Sequence, residues 1–164
     1  MKSLKTLRLA VPMGVAALML TVAGSISPAS AAITYWSYAN DYEGNCLASS
    51  TTTDNVWTAT CNDGLSTRNW QWGSSHTDSH GYQWRQLVSR ANGHCLTTDN
   101  ETQNNAVWTS PCGNAPDQWW SGDNNGLQNE NGNHLRSSAN GDAVYTSPPY
   151  LVEAERYVWW GAHS

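Results

Sequence analysis

Three stretches of this chain repeat one pattern. Gly44-Asn-Cys-Leu47 runs to Val56-Trp-Thr58, Gly93-His-Cys-Leu96 to Val107-Trp-Thr109, and Gly132-Asn-His-Leu135 to Val144-Tyr-Thr146. Each then reaches a tryptophan-rich end, at Trp72, Trp120 and Trp160. A unit of roughly forty residues is too small to bury a core alone, so three copies must share one. The triplication therefore predicts a threefold assembly, with repeats over about 34–80, 81–126 and 127–164 inside a single domain spanning 33–164.

Within the units the local pattern is short strand and turn. Segments such as Asn55-Val-Trp-Thr58 and Ala106-Val-Trp-Thr109 are β-branched and aromatic, whereas Asn62-Asp-Gly64, Gly122-Asp-Asn-Asn-Gly126, Asn131-Gly132 and Asn140-Gly-Asp142 interrupt the chain every ten or so residues. No window sustains a helical period. The expected class is all-β. Three short-stranded units with no fourth favour a closed threefold arrangement, because closure hides strand edges that would otherwise stay unpaired. A β-trefoil fits best.

Residues 1–31 read as an export signal. Lys2, Lys5 and Arg8 form a positive head, an apolar run follows from Leu9 to Ala23, and Ala29-Ser-Ala31 is a small-residue cleavage site. Cleavage there removes both lysines and leaves five arginines against all 13 acidic residues, a formal charge of −8. A surface of that sign repels phosphate backbones and anionic lipid heads, so neither nucleic acid nor a membrane is an expected partner. The expected location is outside the cell.

Four cysteines in an exported chain of this size read as two disulfides, for which sequence alone permits three pairings. The repeat chooses among them: Cys46 and Cys61 hold the same places in the first unit as Cys95 and Cys112 in the second. The expected bridges are Cys46 to Cys61 and Cys95 to Cys112, each worth roughly 3 kcal/mol by loop closure. The third unit has His134 and Pro149 at these positions and relies on packing. Without a CxxC spacing, no metal site is expected at the cysteines.

Gly-x-Cys-Leu, then Val-[Trp/Tyr]-Thr, then a second Cys, then a Gln/Asn-rich Trp motif resembles the ricin-type (QxW) β-trefoil lectin domains, of the small secreted actinobacterial kind. The best copy of the closing motif is Asp117-Gln-Trp-Trp120; the others are Asn69-Trp-Gln-Trp72 and Arg156-Tyr-Val-Trp-Trp160. The resemblance implies binding of a glycan or polysaccharide. In the family an aspartate two residues after the first Cys accepts from sugar hydroxyls, and here that place holds Ala48, Thr97 and Arg136. The family's aromatic platform commonly precedes the second Cys by two residues, where this chain has Ala59, Ser110 and Ser147.

Trp57, Trp108 and Tyr145 lie two positions earlier. With a strand period of two they face the same way and are candidates for a displaced stacking platform. Asp54, Asp99, Asn69, Asp117 and Gln118 are the candidate polar contacts, and the middle unit is the favoured binder. The bland reading is that the three rings pack on their own sheet while Trp72, Trp120 and Trp160 fill the core.

Other constellations carry less. His76-Thr-Asp-Ser-His80 could offer two imidazoles and a carboxylate to a metal, but its Gly and Ser flanks favour a solvated loop. Glu153 and Glu155 alternate as acids on one strand face, which is not the opposed pair of a glycosidase. There is no GxSxG elbow, and no catalytic set, metal or cofactor is expected. The alternative to a lectin-like binder is a degenerate trefoil serving as a protein-interaction or inhibitor module.

Overall fold

The computed structural model describes residues 32–163; the export segment expected over 1–31 lies outside the described residues. The first unit contributes β1 (Trp36–Asn40), β2 (Cys46–Ser49), β3 (Val56–Ala59) and β4 (Trp70–Thr77). The second contributes β5 (Gln83–Ser89), β6 (Cys95–Thr98), β7 (Val107–Ser110) and β8 (Trp119–Ser121), and the third β9 (Gln128–Asn129), β10 (His134–Ser137), β11 (Val144–Ser147) and β12 (Trp159–His163). Short 3-10 turns at Ser66–Arg68, Pro116–Gln118 and Ala154–Tyr157 lead into the last strand of each unit. No α-helix occurs among the described residues.

Every ladder is antiparallel. One wall runs β9-β8-β5-β4-β1-β12, and each unit adds a hairpin to it: β2 with β3, β6 with β7, β10 with β11. The hairpins meet around the threefold axis through isolated bridges, Asn55 to Trp108, Asn105 to Thr146 and Trp57 to Ala143. This is a β-trefoil. Its hairpins cap one end of the barrel. The opposite, open end carries the β4–β5 turn after Thr77, the β8–β9 turn after Ser121 and the outer ends of β1 and β12, where Trp36 pairs with His163. Among the described residues no ladder joins β9 to β12, so the third unit leaves a seam in the wall.

The repeated glycines have a backbone cause. Gly44, Gly93 and Gly132 all have positive φ, at 68°, 74° and 91°, a region that side chains rarely tolerate. Each sits in the tight turn before a hairpin and donates its N–H back to the carbonyl of Asn40, Ser89 or Asn129, respectively. The leucine three residues on is fully buried in all copies: Leu47, Leu96 and Leu135.

One contact ties each hairpin to the barrel. The indole N–H of Trp70 donates to the Leu47 carbonyl at 3.1 Å, that of Trp120 to Leu96 at 2.8 Å, and that of Trp159 to Leu135 at 3.0 Å. All three indoles are at most 1% exposed. This corrects the expectation for two closing tryptophans. Trp72 is only half-buried at the open end, two residues past Trp70 on the same inward face. Trp160 follows Trp159 directly, so it points outward, 50% exposed, and donates to Asp41.

Both disulfides join the expected partners, Cys46 to Cys61 and Cys95 to Cys112. Glu153 and Glu155 lie at the 3-10 turn Ala154–Tyr157 rather than on a strand, and Glu153 pairs with Arg156 at 3.3 Å.

The register of the third unit has a direct test in urea unfolding. Trp159→Ala removes a buried indole and orphans the Leu135 carbonyl, and should cost about 3–5 kcal/mol. Trp160→Ala should cost under about 1 kcal/mol; equal losses would contradict this register.

Candidate functional site

The hairpin faces, where a trefoil lectin would be expected to bind, are filled from within. Ala48, Thr97 and Arg136 are all buried. Thr97 Oγ1 donates to the Cys95 carbonyl and shares a hydrogen bond with Ser110. Arg136 donates to Ser147, to the Ser137 carbonyl and to Asn104 Oδ1 at 2.7 Å, and its guanidinium lies 5.2 Å from the Tyr145 ring centre. Burial lowers the affinity of that guanidinium for its proton, with the nearby Arg156 charge acting in the same direction. A sugar hydroxyl there meets a donor already committed, not a carboxylate.

Gln118 is equally committed. It is 4% exposed, its amide N–H groups donate to Thr97, Ser110 and the Pro111 carbonyl, and its oxygen accepts from Gly113 N–H at 2.7 Å. The two other units make the same link with different chemistry. Arg68 Nε donates to the Thr60 carbonyl at 3.3 Å, and the Tyr157 hydroxyl donates to the Pro148 carbonyl at 2.7 Å. Thr60, Pro111 and Pro148 are equivalent in the repeat, so Arg68, Gln118 and Tyr157 are three solutions to one structural requirement.

The remaining sequence candidates scatter. Asn69 is buried and spends its amide on the Asp63 and Leu65 carbonyls. Asp54 is exposed and lies 3.3 Å from His94. Asp99 and Asp117 are half-buried, with one Asp117 oxygen buried and unpartnered. Trp57 and Trp108 are half-buried, Trp57 with the Arg68 guanidinium 6.0 Å from its ring centre, and Tyr145 is 37% exposed. These rings belong to three separate hairpins.

A better-formed concavity lies at the seam between the second and third units. It encloses about 330 Å³, within the range of ligand pockets. Gln128 of β9 and Val158, just before β12, both line it. The second unit supplies Tyr82 and the turn Asp123, Asn124 and Asn125, while the third supplies His134 and Tyr157.

Each part has a local cause. Asp78 accepts from the N–H groups of His80 and Tyr82 and from the Trp84 indole, which fixes the β4–β5 turn and presents Tyr82 at 68% exposure. The Trp84 contact is the main reason that the Asp78 carboxyl is held below its ordinary value. Asn124 and Asn125 both have φ of 56°, the left-handed region. Asn is among the few side chains that accept it, and such strain concentrates at ligand sites. Asp123 is anchored through Oδ2 by the Ser121 hydroxyl at 2.8 Å.

The recess is bound up with the third unit's departures from the repeat. His134 stands where the other units have a disulfide cysteine, and its ring meets Tyr157, the counterpart of Gln118, edge-on at 6.3 Å. The sequence assigned none of these residues to a binding site, because Gly122-Asp-Asn-Asn-Gly126 looks like an ordinary turn and Tyr82 belongs to no repeat motif. The missing cysteine at 134 was the available signal. The run His76–His80, expected as a solvated loop, is one only in its second half: His76 lies in β4, where it pairs with Glu130 at 3.1 Å against Trp119.

No protein-family model matches the chain, and no curated protein matches it by sequence. Solved structures do match it in shape. The designed threefold-symmetric protein ThreeFoil aligns with a TM-score of 0.62 at 18% identity, covering 78% of this chain and 97% of that one. An exo-β-1,3-galactanase from Clostridium thermocellum aligns at 0.63 and 13% identity, over 80% of this chain but only 30% of the enzyme. The C-terminal domain of an earthworm lectin, a mutant in complex with 6'-sialyllactose, aligns at 0.55 and 14%, over 80% of this chain and 99% of that domain. At these identities the likeness establishes the β-trefoil fold.

Burial lowers the pKa of His134 below its usual 6.5, so the folded state prefers the neutral ring. Stability is complete above the unfolded-state value and falls as pH drops through the folded-state value. Unfolding free energy should therefore decline as pH falls below the ordinary histidine value of 6.5, and His134→Gln should flatten that slope; an unchanged slope would place the titration elsewhere.

Proposed function

We propose that this protein is a secreted, non-catalytic carbohydrate-binding domain of the ricin-type trefoil kind, and that it takes a neutral sugar in the seam recess rather than on the hairpin faces. The observation that carries this reading is the set of groups around that recess: the Tyr82 ring, the Asp123 carboxylate and the Asn124, Asn125 and Gln128 amides. A sugar presents vicinal hydroxyls that both donate and accept, and a C–H face. Carboxylate and amides answer the first, and an exposed aromatic ring answers the second.

Several features support the reading. Two disulfides suit an oxidising, extracellular compartment. Trefoils of similar shape occur in a sialyllactose-bound lectin and in a galactanase. Hydrolysis needs two carboxyl groups opposed across the bond, whereas Asp123 is the one carboxylate among the lining residues. The competing protein-partner reading draws on Tyr150, 81% exposed, and Leu151 in the loop after β11; these residues line no recess with polar groups.

A glycan array read with Tyr82→Ala and Asp123→Asn tests the site. Each substitution should weaken retention about tenfold or more, the loss of one stacking face or one charged hydrogen bond. Absence of any retained glycan would sink the carbohydrate reading. Retention lost with Trp108→Ala but kept by both recess variants would return the site to the hairpin face.

A further inference from the structure

The seam recess does not end at its own rim. Gln83, Ser121 and Asp123 line both it and a second depression of about 300 Å³ at the open end of the barrel, whose floor adds Trp36, Trp72 and Arg85. A third hollow of about 520 Å³ continues past those same three residues to Ile33 and Thr34. The concave surface thus runs from the β9–β12 seam across the barrel end to the start of β1. A single sugar occupies only the first part of it.

The floor of this groove is aromatic and rigid. Trp36 and Trp72 are half-buried. They flank the buried Tyr38, with Trp36 stacked on it at 6.5 Å and Trp72 edge-on at 6.4 Å. Glycines make room for the rings: a Cβ on Gly122 would come within 2.8 Å of the Trp72 ring, and one on Gly161 within 3.1 Å of Tyr38 and 3.4 Å of Trp36. Indoles held this way lose little freedom when a ligand covers them. Arg85 rises beside them, steered by the Gln83 side-chain oxygen, which accepts from its Nε at 3.1 Å and from its Nη2 at 2.5 Å.

We infer that the ligand is an internal stretch of a polysaccharide, with one sugar in the seam recess and the next ones laid over Trp72 and Trp36 beside Arg85. This rests on the carbohydrate reading of the recess and extends it from a sugar to a chain. Two half-buried indoles, Trp36 with the His163 ring edge-on at 5.0 Å, and a flanking guanidinium line successive parts of the groove. Charged groups of both signs, Asp123 and Arg85, suit hydroxyls that donate and accept. The three hollows follow one another through shared lining residues, which matches successive sugars of one polymer rather than a single terminal sugar.

The test is calorimetry with xylo-, galacto- and manno-oligosaccharide ladders from the monosaccharide to the hexasaccharide. Affinity should climb with chain length for the ladder that binds, and Trp36→Ala should cut hexasaccharide affinity about tenfold towards the value for the short members. Arg85→Ala, at an exposed position, gives the same readout without disturbing the core, and its unfolding midpoint should match wild type. Equal affinity for short and long members, with both variants unaffected, overturns the extended groove while leaving the recess intact. Binding to no ladder and to no glycan on an array overturns the carbohydrate reading itself.

Discussion

The indole-to-carbonyl hydrogen bond repeated in Trp70, Trp120 and Trp159 is the contact on which the rest of the structure hangs. Each bond anchors the first strand of a hairpin to the last strand of the same unit, at a place with no water to offer instead. A buried indole N–H left unpaired costs free energy, and so does the leucine carbonyl it serves. Packing and polar satisfaction therefore demand the same geometry three times. The core leucines Leu47, Leu96 and Leu135 close around these rings with Leu87 and Leu127, which explains how a chain without phenylalanine builds a core from tryptophan.

Against that constant, the units differ in how the loop before the anchor is held. Arg68, Gln118 and Tyr157 reach equivalent carbonyls with a guanidinium, an amide and a phenol. Disulfides reinforce the first two units. The third has neither the disulfide nor a ladder between β9 and β12. The recess beside His134 lies at this unit. Stability and concavity compete for the same positions, as they commonly do where strained or loosely tied backbone serves a ligand.

The hairpin faces show the converse. Ala48, Thr97 and Arg136 knit each hairpin inward, and Arg136 covers Tyr145 in doing so. A face that spends its polar groups on its own backbone gains rigidity and loses capacity to grip a ligand. The open end of the barrel is built differently: its indoles are packed from below on Tyr38, and its turns carry the Asp123 carboxylate and the Asn124 and Asn125 amides.

The architecture is legible in local features of the chain. Repeated glycines requiring left-handed turns, leucines and valines at constant spacing, and paired cysteines in two of three units admit few folds other than a trefoil, and those features are local enough to read directly. The sequence also placed Ala48, Thr97 and Arg136 at the equivalent hairpin position of the three units. The tertiary structure alone decided which of two neighbouring tryptophans closes the core, because strand phase depends on a register that the sequence Trp159-Trp160 or Trp70-Gln-Trp72 leaves open. It alone brought Tyr82 to Asp123 and His134, residues about forty and fifty positions away in the chain, since barrel closure rather than local pattern sets distances across a seam.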